Sequence, residues 1–187
     1  FFCGAAQSIY AEDSSIVEVR VDIDPGPEYT HTKWFVIIPM KLTPQMAVWI
    51  ESAEGRFIRT IYITEKAAEG SWRGGQDVTR PEALPVYFHR SGLDHGKSRA
   101  SGTDVVSGAT PKAGDKDSQS WSCSLELAAG EYRIMAEVNS SFDYNESYPE
   151  QKNNVNGQPS LIYTAGFELG EQGACAGTRF SLRPVGH

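Results

Sequence analysis

The sequence predicts an all-β fold, a sandwich of antiparallel sheets interrupted by a long glycine-rich insertion. Four stretches, Ile16–Ile23, Gln45–Glu51, Trp121–Leu127 and Glu131–Asn139, alternate apolar and polar residues with a period of two. That period marks strands with one dry face and one wet face. No stretch offers a long amphipathic helix. Between Thr64 and Gln119 glycines and prolines break every candidate element, and a connection of that length is normally functional or mobile.

The first strand, Ile16–Ile23, sets Val17, Val19, Val21 and Ile23 against Glu18, Arg20 and Asp22. Asp24-Pro25-Gly26-Pro27 then turns the chain, because proline fixes φ and glycine supplies backbone angles closed to other residues. Lys33–Lys41 is a nearly continuous apolar run, predicted as a strand buried on both faces. Met46–Glu51 and Phe57–Ile63 flank Ser52-Ala53-Glu54-Gly55 as a hairpin. Inside the insertion, Pro81 suits the first turn of a short helix over Glu82–Arg90, which Pro85 would shorten. Ala128-Ala129-Gly130 is expected to join Trp121–Leu127 and Glu131–Asn139 as a second hairpin. Ser160–Glu168 and Thr178–Arg183 complete eight candidate strands.

With 187 residues the chain can bury roughly 70% of its unfolded surface, and residues 14–187 read as a single domain. Its 24 acidic residues outnumber 17 scattered basic ones, for a net charge of −7, which excludes a nucleic-acid partner. No run approaches the about 18 apolar residues of a membrane-spanning helix. Residues 1–13 read as a signal remnant or lipoprotein linker. The aromatics and small residues of Phe1–Ser8 resemble the tail of a secretory signal cut near Ala6–Ser8. Alternatively Cys3-Gly4-Ala5 resembles a loose lipoprotein acceptor whose thiol would take a lipid after cleavage, or the start is an arbitrary boundary. The expected location is periplasmic or extracellular, with membrane contact only through such an anchor. Export would permit a Cys123–Cys175 disulfide, closing a loop of about 50 residues and worth roughly 3–4 kcal/mol. Two buried free thiols are the alternative.

No Gly-x-Ser-x-Gly elbow or cysteine–base pair is present, so no catalytic residue is assigned. Glu126 and Glu137 lie on the two strands expected to form the second hairpin and read as its wet face. His89 and His95 share a glycine-rich loop with Asp94, but that set falls short of the three or four converging ligands of a metal site. His31 and His187 have no neighbouring ligands in sequence. The best binding candidate is Phe142–Tyr148, where Tyr144 and Tyr148 offer stacking surface and Asp143, Asn145 and Glu146 offer acceptors. That mixture suits sugars, peptides or a Ca²⁺ ion; the alternative is that the aromatics pin the loop to a sheet edge. Trp72 and Arg73 pose the same choice between a core plug and an exposed contact.

Several blocks carry a resemblance. Ala47-Val48-Trp49-Ile50-Glu51 with Gly55-Arg56-Phe57-Ile58-Arg59-Thr60, then Trp72-Arg73, Asp104–Pro111, Gly130-Glu131-Tyr132-Arg133 through Glu137, and Asn156–Tyr163 resemble, in order and spacing, the DUF2271 family of predicted periplasmic proteins. They cover most of the chain from residue 45 to 168. The resemblance implies an Ig-like antiparallel β-sandwich of the flagellar hook-cap type, in the setting of extracytoplasmic flavin-dependent redox proteins. Ser107-Gly108-Ala109-Thr110 resembles the acceptor of covalently flavinylated domains, yet Lys112 stands where the threonine that takes FMN would be. Covalent flavin is not expected, and non-covalent contact with a flavoprotein remains open. The expected function is an exported, non-enzymatic binding or accessory domain with envelope redox or surface proteins as partners. A carbohydrate- or surface-binding module is the alternative, and a metal or redox enzyme around His89 and His95 the third.

Overall fold

The computed structural model describes residues 14–24, 26, 29–72, 80–93, 107–108, 119–153, 155–170 and 183–186. Among them the fold is all-β: β1 (Ser14–Ile23), β2 (His31–Phe35), β3 (Ile38–Leu42), β4 (Gln45–Ser52), β5 (Phe57–Thr64), β6 (Ser107–Gly108), β7 (Gln119–Ala128), β8 (Gly130–Asn139), β9 (Leu161–Leu169) and β10 (Arg183–Gly186). Three short helices, α1 (Glu65–Glu69), α2 (Pro85–Ser91) and α3 (Glu150–Asn153), and a 3₁₀ turn at Pro81–Ala83 complete the described elements. Helix α2 overlaps the predicted Glu82–Arg90 span from Pro85 to Arg90 and runs one residue beyond it. Pro85 shortens the helix as expected by standing at its start, where the first helical position needs no N–H, while Pro81–Ala83 forms the separate 3₁₀ turn.

Six strands form the main sheet in the order β10-β9-β8-β4-β5-β6, while β1–β7 and β2–β3 form separate two-stranded ribbons. All pairs are antiparallel except the two-residue contact of β6 with β5. The β1–β7 ribbon covers one face of the sheet, packing Val19, Val21, Leu125 and Leu127 on Met46, Val48, Ile50 and Ile61. Tyr62 stacks on Trp121 of the ribbon with ring centroids 4.0 Å apart. The other face is covered by helices, where Ala47, Trp49 and Ile63 meet Ala67, Leu84, Tyr87 and Phe88. The register of β4 with β5 shifts twice, between Val48 and Trp49 and between Ile50 and Glu51. The first bulge leaves Ile61 without a partner residue in the register, and Ile61 and Tyr62 both join the ribbon-side core.

Three expectations are corrected. The Gln45–Glu51 alternation predicts a wet face, but β4 is buried along its whole length because helices cover the side that carries Gln45 and Glu51. Trp121–Leu127 and Glu131–Asn139 are not a hairpin: β7 pairs with β1, and β8 lies between β4 and β9. The Ala128–Gly130 link therefore carries the chain from the ribbon into the main sheet, with Gly130 at φ +158°. Finally, Lys33–Lys41 is not one buried strand. It folds back at Val36-Ile37 into the β2–β3 hairpin, and its apolar tip lies in solvent.

Candidate functional site

The loop from the end of β8 to the start of β9 is built by its own amides. Asn145 Oδ1 accepts the N–H groups of Ser147 and Tyr148, both at 2.9 Å, an Asx turn that closes the loop tip. Its Nδ2 donates to Gln158 Oε1 at 2.8 Å. Gln158 in turn donates Nε2 to the Asp143 carbonyl at 2.8 Å and its backbone N–H to Asp143 Oδ1 at 3.0 Å. Gly157 is packed so closely on Asp143 that a Cβ would lie 2.9 Å from its backbone N and C. Burial pushes the Asp143 carboxyl above its ordinary range, opposed by the Gln158 N–H and by nearby His31.

Beside this loop lies an open cleft of about 220 Å³, lined among others by Glu82, Asn139, Tyr148, Asn153, Asn156 and Ser160. Three of its amides are oriented by backbone carbonyls. Asn139 Nδ2 donates to Ala83 O at 3.0 Å, Asn153 Nδ2 to Pro149 O at 2.9 Å, and Asn156 Nδ2 to Glu82 O at 3.0 Å. An NH₂ group must face a carbonyl, so each bond fixes which end of the amide is the oxygen. The carbonyls thereby fix the orientation of each amide. Asn139 Oδ1 is buried and has no hydrogen-bond partner among the described residues. What the cleft offers is a set of oriented amides beside the Tyr148 ring.

Glu137, predicted on a wet face, is fully buried beneath this site. Its register partner is Ala47, on the face that the helices cover. Its carboxylate accepts from Ser160 Oγ at 2.6 Å, from the Tyr87 N–H at 2.7 Å and from the Val86 N–H at 3.2 Å. These N–H groups belong to the first turn of α2, where intrahelical partners are missing, so a strand carboxylate does the work of a cap. Burial pushes the Glu137 carboxyl above its ordinary range, against the pull of its three donors. The other end of α2 is tied to the sheet as well. Trp49 Nε1 donates to buried Glu51 at 2.8 Å, and Arg90 Nε lies 3.7 Å from the same carboxylate oxygen. Both carboxylates serve to hold a helix.

The residues singled out in the sequence separate accordingly. Asp143 and Asn145 brace the loop, and Tyr148 lines the cleft. Tyr144 turns instead to the β2–β3 hairpin, its ring 4.9 Å from Lys33 Nζ and 6.3 Å from the Phe142 ring. Trp72 lies under the Arg80 guanidinium at 5.1 Å, and Arg73 lies outside the described residues. His89 is exposed on α2, while His95 and Asp94 lie outside the described residues, among which no group of three His, Cys, Asp or Glu converges as for a metal. Ser107 and Gly108 form β6, and Ala109 and Thr110 fall outside the description. Cys123 is a free thiol among the described residues; Cys3 and Cys175 are not among them. The cleft's Asn139, Asn153, Asn156 and Ser160 escaped notice as binding residues. The signal available for two of them was the Asn156-Gly157-Gln158-Pro159-Ser160 run, which sets three polar side chains with a glycine and a proline at one strand entry.

No known protein family, curated protein or solved structure matches the chain.

Proposed function

We propose that this protein is an exported, non-enzymatic binding domain whose cleft takes a hydroxyl-bearing ligand, a sugar ring or the end of a glycan. The observation that supports this reading is the oriented amide set: Asn139, Asn153 and Asn156 are each held by a backbone carbonyl at the cleft, which presets polar groups for a ligand bearing hydroxyls. Tyr148 adds an apolar ring face of the kind that stacks on the C–H side of a sugar. The volume of about 220 Å³ is below the roughly 300–1,000 Å³ of pockets for drug-sized molecules, so one ring is the unit recognised. The DUF2271 resemblance supports a wider setting for the same domain, as an accessory beside flavin-bearing envelope proteins. Glycan-array screening followed by calorimetry tests the proposal. Tyr148→Ala should weaken binding to the best glycan at least tenfold with the fold intact. A blank array, or binding indifferent to that substitution, would sink it.

A further inference from the structure

The β2–β3 hairpin ends in apolar side chains that contribute little to the folded core. Trp34 is 62% exposed, Val36 96%, Ile37 81% and Ile38 60%. The turn itself is also unfavourable. Val36 has φ +60°, a backbone region that β-branched side chains avoid and that a two-residue hairpin turn ordinarily gives to glycine, asparagine or aspartate. A valine here costs stability twice, once in backbone strain and once in exposed hydrocarbon. Such an outlier points to a role outside the fold.

The distribution of chemistry along the hairpin selects what meets it. Trp34 and its partner Pro39 lie on one face of the ribbon, while Phe35 and its partner Ile38 lie on the other. The tip is therefore apolar all round. A protein groove reads one face of a ribbon, whereas hydrocarbon surrounds a tip from every side. Behind the tip come the aromatic pair Trp34 and Phe35, and behind those Lys33 and Lys41. Apolar end, aromatic shoulder and the exposed Lys41 behind them repeat the order of a bilayer leaflet from acyl chains to phosphates, where tryptophan and lysine concentrate. The base is tied to the loop after β8. Phe35 meets Phe142 edge-on at 5.3 Å, and Lys33 pairs with Glu150 at 2.9 Å. Pro39, which has no N–H, blunts the free edge of β3 against strand addition by a second copy.

We propose that the Trp34–Ile38 tip docks into a lipid bilayer surface, so that membrane contact does not depend on a lipid at Cys3. The test uses the Cys3→Ser chain, which no lipid can anchor through that thiol, floated with phosphatidylcholine vesicles. Expected is flotation of this chain and at least a tenfold loss of it in Val36→Gly/Ile37→Ser. Because glycine relieves the positive φ, that variant should keep a melting midpoint at or above that of its parent. Brominated phosphatidylcholine should quench part of the tryptophan emission, and Trp34→Phe should abolish that part. Absence of the parent chain from the vesicle fraction overturns the proposal, as does equal flotation of parent and variant. A lipid-free dimer that the tip variant cannot form, with no vesicle binding, assigns the tip to a second copy instead.

Discussion

Glu137 shows what a single buried carboxylate does to the molecule. Its folded form favours the proton, because burial outweighs the three donors around it. A carboxyl raised in this way contributes most below its ordinary value of 4.5, and the contribution is lost as pH rises through the raised one. Glu137→Gln removes the titration but turns an NH₂ group toward donors, leaving one unsatisfied at a cost of about 1–3 kcal/mol. The difference in urea stability between parent and Glu137→Gln should thus be largest near pH 4.5 and narrow toward pH 7. A difference that widens with pH would mean that the charged form is the one the fold prefers. Gly157 is a second such position. Any Cβ there runs into Asp143, so Gly157→Ala should cost about 1–3 kcal/mol by overpacking and displace the cleft-lining Gln158. Thermal melts and loss of glycan binding check it. Neither role was legible in the sequence. Glu137 sits in an alternating strand where a carboxylate reads as solvated, and a tight approach across 14 residues of loop leaves no trace in local pattern.

Among the elements, strands with strong alternation were found close to their observed bounds, and the β4–β5 hairpin was legible because its apolar runs flank a glycine-containing loop. What covers a strand was not legible. The helices that bury Trp49 and Glu51 arise in the glycine- and proline-broken insertion, with too few turns for a periodic signal. The β2–β3 turn was invisible for the opposite reason: Val36-Ile37 contains none of the residues that turns ordinarily use. The hairpin meets the loop after β8 through the Phe35–Phe142 contact, and Phe142 there has φ +61°. An edge-on aromatic pair is worth about 0.5–1.5 kcal/mol. Phe142→Ala should therefore speed amide exchange over residues 31–42 roughly 2- to 12-fold while β4 and β8 keep their protection. Unchanged exchange in the hairpin would show that Lys33–Glu150 and Lys33–Tyr144 suffice to hold it.

For the whole molecule, the central fact is that β4 and β5 carry two cores at once, the ribbon on one side and the helices on the other. A sheet shared in this way cannot lose one cover without exposing side chains of the strands that hold the other. Unfolding should consequently be one cooperative transition, with tryptophan fluorescence and far-UV circular dichroism coinciding in urea. Ile50 belongs to the ribbon-side core and Ile63 to the helix-side core, and both are fully buried. Ile50→Val and Ile63→Val should each cost about 0.5–1.5 kcal/mol. Since they share no core cluster, their effects should add to within about 0.5 kcal/mol in the double variant, with the slope of the transition unchanged. Two separated transitions, or an Ile50→Val effect seen by one probe alone, would mean that the ribbon and the helical layer fold as independent units. The bulge at Ile61 sets two consecutive β5 residues against the ribbon and leaves Ile63 for the helices, so the strand divides its side chains between both layers. That division ties the cleft above α2 to the stability of the far face, and Ile50→Val should weaken glycan binding only through the fraction of chains it unfolds.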